Sequence, residues 1–598
     1  MNDADVWHRR GVAAFERGEL ASALEALAQA IELDGSRADI HGDIGVVAHL
    51  AGVFKDAEAH FKQAISLAPG ETHLHYNFGN LLKDLGRLVE AEEHYRHAVT
   101  GDPSYAPAHN NLGNVLKQLK RWTDAADSYR AAISADPHFS PAHRNLADLD
   151  EFLGRTKDAI DGFGRAAALR DNSGACIRAA LAMPVTAGSL AEIEDTRARI
   201  AENLADLAGA ELRLTDPLTQ VGATPFHLAY HGRDDRPLME SLAELYRGAC
   251  PSLSFTAPHC RDWMGGLEGG RIRVGFASAF LRDHTIARLN ERLIEGLPRD
   301  KFDVRLFDRL PNNLAAAREA LAAAELDVLY FTDIGMDPLT YFLAFARLAP
   351  VQCVSWGHPV TTGITSLDYF ISGRPIEPDG AEIAYTERLV RLDTLPASVA
   401  APDAGCDEMS GPVFLCPQSL FKLHPEFDPL IGRILARSPD AELVLLAGQH
   451  SEWQKALEAR WKRTIPHVLD RIRFVPRRDR AGFMALLASA RVVLDTPHFC
   501  GGLSSFEALT AGAPVVALPG DFMRSRVTLG LYRRMGMTDL VARNGDEYVE
   551  LAVRLARDEV FNAEMRSRIR ALAPRLIDDP APIAEHARFF EKAVYGAV

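Results

Sequence analysis

Residues 494–520 read LDTPHFCGGLSSFEALTAGAPVVALPG, and this stretch decides the fold. The run RVVLD at 491–495 is apolar and β-branched, the pattern of a buried parallel strand. Pro497, Gly501 and Gly502 mark a turn. Ser504 and Ser505 stand where a helix begins, ahead of Phe506, Glu507, Ala508 and Leu509. Gly512 ends that helix, and residues 514–518 (PVVAL) form the next strand. A glycine turn feeding a helix N-terminus is a ready anion site. The glycines allow close backbone approach, the first N–H groups lack helical partners, and the helix dipole favours negative charge. Glu507, one turn in, is placed to accept hydrogen bonds from ribose hydroxyls, as the acidic residue of a dinucleotide fold does. An ordinary βαβ unit with no ligand has the same spacing.

Working outward, short apolar runs alternate with helical segments from Arg271 onward. Expected strands are 272–278, 303–307, 328–331, 351–356 and 369–371, then 413–416, 442–447, 472–475, 492–495 and 515–518. A Gly/Pro/Asp-rich break at 396–412 separates the two sets. They read as two doubly wound lobes whose strand ends face a common cleft. Three more patches sit at strand ends: RIRVGFASAFLRDH (271–284) with Asp283 and His284, WGHPVTTG (356–363) with His358, and LCPQSLFKLHP (415–425) with Lys422. A histidine after a strand is ordinarily a hydrogen-bonded surface residue, and a lysine near a turn is ordinarily just solvated. Convergence on one cleft is what singles these out.

Upstream the chain repeats every 34 residues. Gly11, Gly45, Gly79 and Gly113 share a phase, with Ala147 next. Ala23, Ala57, Ala91, Ala125 and Ala159 form a second register, and Ala30, Ala64, Ala98, Ala132 and Ala166 a third. Leu27, Phe61, Tyr95, Tyr129 and Phe163 form a fourth; Pro69, Pro103 and Pro137 close repeats. Small residues let helices touch, a large one wedges between them and proline stops the second helix. This is the tetratricopeptide (TPR) pattern, five repeats within 1–170. Asn77, Asn111 and Asn145 recur in phase with Asp43, and Asn80 and Asn114 form a second row. Asparagine is a mediocre helix former, so the rows are expected to bind the backbone of an extended acceptor peptide. Hydrogen bonding within the stack is the alternative. His41, His75, His109 and His143 are read as packing residues. Residues 171–268 lose the repeat and read as a helical connector, with helices over 190–207 and 234–249. The first α/β lobe is set at 269–400 and the second at 411–598.

A net charge of -15 argues against nucleic acid or an anionic membrane as the main partner. No apolar run is long enough to span a bilayer, and the acidic start is followed by no apolar stretch of a leader peptide. The seven cysteines (176, 250, 260, 353, 406, 416, 500) are scattered without CxxC spacing. A cytoplasmic protein with reduced thiols and no structural zinc is expected.

TPR repeats joined to two lobes carrying RVGFAS…H, APVQ…WGHPVTTG, QSLFK and LDTP…G…EALTAGAPVV resemble the O-GlcNAc-transferase-like glycosyltransferases, family 41, of GT-B fold. RDHTIARL, DPLTYFLAFARLAPVQCVSWGHPVTTG and GDFMRSRVTLGLYRRMG are similar to the bacterial branch, which includes flagellin glycosyltransferases. The resemblance implies an α superhelix followed by two Rossmann-like lobes with an interlobe cleft. It implies inverting, metal-independent transfer from a nucleotide-sugar to Ser or Thr of an acceptor protein, with flagellin the leading candidate and no cofactor. Lys422 takes the place of the lysine on the diphosphate, with Gln418 and Ser419 near the family's glutamine. Glu507 takes the ribose position, and His284 that of the histidine near the reacting centre. His358 replaces an aromatic in the G-Y-P-G-T-S-G loop. Gly502, Phe483 and Ala485 stand where the family has histidine, a base-stacking histidine and arginine. The changed base wall leaves UDP-GlcNAc and a CMP-nonulosonic acid, such as CMP-pseudaminic acid, both open as donors.

Leaving-group charge is expected to meet Lys422 and the N–H groups of residues 502–505, where the turn with Gly501 and Gly502 feeds the helix start with Ser504 and Ser505. His284 is the expected base, with Asp283 or His358 as substitutes. A non-catalytic TPR adaptor with a degenerate GT-B part is the alternative.

Overall fold

In a computed structural model of the chain, residues 3–169, 172–261, 263, 270–401 and 413–596 are described. Most of the break expected at 396–412, and Cys406 within it, lies outside them. Two units divide between Ala179 and Ala180.

The first unit opens with five helix pairs. They are α1 (Asp3–Glu16) and α2 (Leu20–Leu33), α3 (Ala38–Leu50) and α4 (Phe54–Leu67), α5 (Thr72–Asp84) and α6 (Leu88–Gly101), α7 (Ala106–Gln118) and α8 (Trp122–Ala135), and α9 (Ser140–Phe152) and α10 (Thr156–Leu169). The alanine registers and the Leu27–Phe61–Tyr95–Tyr129–Phe163 register are fully buried. Close approach explains the glycine phase: a Cβ on Gly113 would stand 2.5 Å from the Tyr129 ring. The turn inside each pair needs left-handed backbone. Gly18, Gly52, Gly86 and Gly154 supply it, and Lys120 holds the same place at φ 61°. The four phased histidines tie helix to preceding turn. Nε2 of His41, His75, His109 and His143 lies 3.2, 3.1, 3.0 and 3.0 Å from the carbonyls of Gly35, Pro69, Pro103 and Pro137.

The asparagine rows are largely engaged within the stack. Asn80 Oδ1 accepts from the Tyr95 hydroxyl at 2.6 Å and from Asn111 Nδ2 at 2.9 Å. Asn114 Oδ1 accepts from the Tyr129 hydroxyl at 2.8 Å, and Asn145 Nδ2 donates to Asn110 Oδ1 at 2.8 Å. Asp43 pairs with His8 at 2.6 Å. The physical reason is the wedge register: a buried tyrosine hydroxyl must find a partner. Among the described residues, only Asn77 of these asparagines has no side-chain hydrogen bond.

The second unit holds two parallel sheets. The first has order β2-β1-β3-β4-β5-β6, from β1 (Ile272–Ala277), β2 (Phe302–Phe307), β3 (Val328–Phe331), β4 (Val351–Ser355), β5 (Tyr369–Gly373) and β6 (Arg388–Leu392). The second has order β11-β10-β7-β8-β9, from β7 (Phe414–Cys416), β8 (Leu443–Leu446), β9 (Ile472–Val475), β10 (Val492–Leu494) and β11 (Val515–Val516). Ten of these strands were expected. β6 (RLVRL) was not: it is an edge strand with arginines at its first and fourth positions and no continuous apolar run. Strand order reverses between β1 and β3, and between β7 and β10. Those are the points where loops part and leave a crevice at the carboxyl ends of the strands.

One boundary differs from the expected assignment of 411–598 to the second lobe. The last helix, Ala581–Val594, carries Phe589, Phe590 and Val594 into one core with Val274, Phe276 and Tyr330 of the first sheet. The chain thus crosses back to finish the first lobe. The connector also docks there, through Tyr246 edge-on to Phe342 at 5.1 Å between centroids.

Candidate active site

A cleft of ≈ 560 Å³ lies at the two reversal points. Its walls bring together Asp283, His284 and His358 with Gln418, Ser419, Lys422, Phe483, Gly502, Ser504 and Glu507, residues singled out in sequence from five separate segments. Gly501 and Ser505 stand just behind the wall.

Two loops make its anion cradle. After β7, Lys422 Nζ donates to Gln418 Oε1 at 3.0 Å and to the Cys500 carbonyl at 3.1 Å. It also lies 4.7 Å from the Phe499 ring centroid. Gln418 Nε2 passes the chain on to Ser504 Oγ at 3.0 Å. After β10, Asp495 Oδ1 accepts from the Gly501 N–H at 2.8 Å, and Thr528 donates to its other oxygen at 2.5 Å. Gly501 permits this close packing: a Cβ there would meet Ser505 Oγ at 2.3 Å and Gln418 Nε2 at 2.7 Å, so one of them would have to move. The helix Leu503–Thr510 starts here. The Ser505 N–H is already spent on the Gly502 carbonyl at 3.0 Å, and its hydroxyl lies 2.8 Å from that of Thr528. Ser505 therefore shapes the loop rather than facing a ligand. The N–H groups of Gly502, Leu503 and Ser504 have no partner among the described residues.

The charges in this wall are held under strain from burial. Burial lowers the Lys422 pKa below its usual range, while Cys500, Asp495 and Cys416 pull it back up. Burial raises Asp495 to about 6, against its hydrogen bonds from Thr528 and Gly501. Burial raises Glu507 too, opposed by Arg288 and Arg480. Glu507 Oε1 accepts from Arg288 Nη1, across from the first lobe, at 2.7 Å. The residue expected to take ribose hydroxyls thus already holds a cation.

The expected bases divide. His284 is the N-cap of the helix Thr285–Gly296, and its Nδ1 accepts the Ile286 N–H at 3.2 Å. That bond assigns the ring proton to Nε2, so the neutral imidazole offers a donor rather than a lone pair. Burial, then Arg288, lowers its pKa. His358 is buried, stacked 5.0 Å from Phe226, and pushed down to about 3. Asp283 remains as an exposed carboxylate on the cleft wall.

Sequence reasoning missed an aromatic floor from the connector. Tyr230 packs 4.6 Å from Phe421 and 4.5 Å from Phe499, and Phe226 stacks on His358. The cluster PFHLAYH (225–231) was the available signal. It also missed Arg524, buried and 3.2 Å from the fully buried Asp235.

A TPR array followed by two Rossmann-like lobes with an anion cradle in the second is the plan of the O-GlcNAc-transferase-like glycosyltransferases. Residues 410–575 match the model of glycosyl transferase family 41, and residues 8–72, 76–138 and 111–175 match the tetratricopeptide repeat model. The chain thus carries matches to tetratricopeptide repeats in its first part and to glycosyl transferase family 41 in its second. It is 29% identical over 267 residues to a probable UDP-N-acetylglucosamine–peptide N-acetylglucosaminyltransferase SPINDLY of Petunia hybrida, covering 41% of this chain and 26% of that one. It is 27% identical over 301 residues to a UDP-glucose:protein N-beta-glucosyltransferase of Actinobacillus pleuropneumoniae serotype 7, covering 48% of each. The chain thus spans a quarter to a half of the length of these relatives. Its fold matches a Thermobaculum terrenum O-GlcNAc transferase mutant with TM-score 0.64 at 23% identity, over 88% of this chain and 98% of that one. No helix among the described residues is long and apolar enough to cross a membrane.

Proposed function

We propose that the chain is a protein glycosyltransferase that moves a sugar from a nucleotide-sugar in the cleft to a side-chain hydroxyl of an acceptor protein engaged by the TPR array. The observation that carries this is the cradle: Lys422, fixed by Gln418 and the Cys500 carbonyl, beside three N–H groups at a helix start that have no partner among the described residues. Charge developing on the leaving phosphate meets the ammonium and these N–H groups, so the transfer needs no metal at the reacting bond. The acceptor proton goes to Asp283, and the His284 Nε2–H donates to a ligand oxygen. Inversion follows from a single displacement.

A UDP-sugar is the first donor to test, because the names of the relatives specify UDP-N-acetylglucosamine and UDP-glucose. A CMP-nonulosonic acid is the second, favoured by one observation. Arg477 and Arg478 line the cleft, exposed and without an ion-pair partner among the described residues, and would meet an additional carboxylate. Flagellin is the first acceptor to test with that donor.

Calorimetric titration of the full chain with UDP and with CMP, alongside Lys422→Ala, tests the reading. Binding of one nucleotide that Lys422→Ala abolishes supports it. Binding of neither by folded protein returns the chain to a TPR adaptor with a non-catalytic GT-B part.

A further inference from the structure

Beside the cradle, two loops bring three metal-ligating side chains together. His424 and Glu426 follow Lys422 on the loop after β7, and His498 precedes Phe499 on the loop after β10. One ligand atom from each lies within 4.8 Å of the other two. His498 Nε2 is 2.6 Å from Glu426 Oε2, and His424 Nδ1 is 3.6 Å from the same oxygen. The two imidazoles lie 4.1 Å apart between centroids. Neither the H-x-E spacing nor the distant histidine marks this cluster in the sequence.

Three features exceed what an ordinary histidine–carboxylate contact needs. First, His424 is 3% exposed and turns Nδ1 toward Glu426, where it accepts that residue's N–H at 3.3 Å, a long bond that a cation on the same lone pair would replace. Second, His498 holds a left-handed backbone at φ 64°, and its ring fills the space above Gly232, where a Cβ would stand 2.6 Å from Nδ1. Third, the nearby arginines already have carboxylate partners. Arg460 pairs with Asp428 at 2.8 Å, Arg524 with Asp235 at 3.2 Å and Arg233 with Glu194 at 2.7 Å. Glu426 is left as the anionic donor for an incoming cation.

We propose that His424, Glu426 and His498 form a binding site for a borderline divalent cation, zinc foremost, that clips the two cradle loops together. Two imidazoles and one carboxylate are a zinc donor set, with bonds of about 2.0–2.2 Å and a fourth position left to water. Ligand atoms around such an ion stand roughly 3.3 Å apart. The 2.6 Å contact would open slightly and the wider separations, all within 4.8 Å, would close, movements that side-chain rotation supplies. Glu426 and His498 are part exposed, at 44% and 24% of their side chains, so an ion has an entry path. The ion sits outside the reacting centre. Its effect is mechanical: residues 424–426 and 498 flank Lys422 and the 500–504 turn, and joining them fixes the separation of the ammonium from the helix start. The proposal stands on this cluster alone and does not depend on which donor the cleft takes.

The test is calorimetric titration of the EDTA-dialysed full chain with zinc ion, and with cobalt(II) followed by visible absorption. His498→Ala, Glu426→Gln and, as a control for the other histidines, His109→Ala are compared. One tight equivalent is expected in the wild type and in His109→Ala, weakened at least tenfold in His498→Ala and Glu426→Gln. A tetrahedral cobalt spectrum is expected only where that equivalent is retained. Glu426→Gln is nearly isosteric and keeps a partner for His498, so it guards against a folding artefact. Equal stoichiometry and affinity in all four proteins, or no tight equivalent in the wild type, overturns the proposal. UDP or CMP titration of the same samples reads the cradle separately, so loss of one binding event is not mistaken for the other.

Discussion

The repeat array and the α/β unit use polar residues in opposite ways. In the array a polar residue recurs because the packing recurs: each wedge tyrosine needs an acceptor, and Asn80 and Asn114 provide it for Tyr95 and Tyr129. In the α/β unit Lys422, Gln418 and Asp495 occur once, at chain reversals, and hold one another in place facing a cavity. Recurrence reports packing; a singular polar residue at a strand end reports chemistry.

The largest effect is expected at Lys422. Replacing it by alanine removes the ammonium and leaves Gln418 Oε1 and the Cys500 carbonyl without their donor. Nucleotide affinity should fall about 100-fold, roughly 3 kcal/mol, in calorimetry. The wild-type affinity should also fall as pH rises through the lowered Lys422 pKa, because only the protonated amine meets the phosphate. A Lys422→Ala protein that binds as the wild type does would place the anion site elsewhere. Gly501→Ala comes next. The added methyl meets Ser505 Oγ and Gln418 Nε2 well inside contact distance, so one of them must move. Affinity should drop about tenfold, or 1.4 kcal/mol, with the melting temperature little changed.

How much of this was legible in the sequence follows the same division. The TPR array was legible because five phased registers obey one geometric constraint, and ten strands were legible because buried parallel strands are short apolar runs. Strand β6 was not, since an edge strand lacks that run. Residues singled out at strand ends and at the glycine turn converge: Lys422, Glu507 and His284 all line the cleft. What was missed depended on long-range contact. Phe226, Tyr230 and Arg524 have no local signature, and the Arg288–Glu507 ion pair joins residues 219 positions apart. The hydrogen-bonding state of His284 was not legible, for a local reason. Composition shows that His284 follows a strand, but not that a helix N–H occupies its Nδ1.

Within the array, Asn80 and Asn77 separate packing from recognition. Asn80→Ala strands the buried Tyr95 hydroxyl and should destabilise by about 1–3 kcal/mol, read as the first-unit melting transition of the full chain. Asn77→Ala removes no bond and substitutes a better helix former, so stability should hold or rise slightly. If glycosylation of an acceptor protein nevertheless falls in Asn77→Ala, this asparagine faces the acceptor and the remaining rows serve the stack. Equal destabilisation by both substitutions would remove the distinction.

The smallest effect is expected at Lys120. Four of the five inter-helix turns use glycine at φ between 76° and 80°, where a side chain is disfavoured. Lys120 takes the same turn at φ 61°, with the same closing bonds: its N–H reaches the Lys117 carbonyl at 3.0 Å and the Arg121 N–H reaches Leu116 at 2.9 Å. The fourth repeat therefore pays a conformational cost of about 1 kcal/mol that its neighbours avoid. Because the lysine is exposed and lacks an ion-pair partner among the described residues, no contact offsets it. Lys120→Gly should stabilise the array by somewhat less than that figure, since glycine also gains freedom in the unfolded chain. In a unit of this size the melting transition should rise by about 2–4 °C, while nucleotide binding stays unchanged. A fall in melting temperature would mean that the lysine stem contributes packing to the turn, and that even the array's most regular position carries a residue chosen for something other than the repeat.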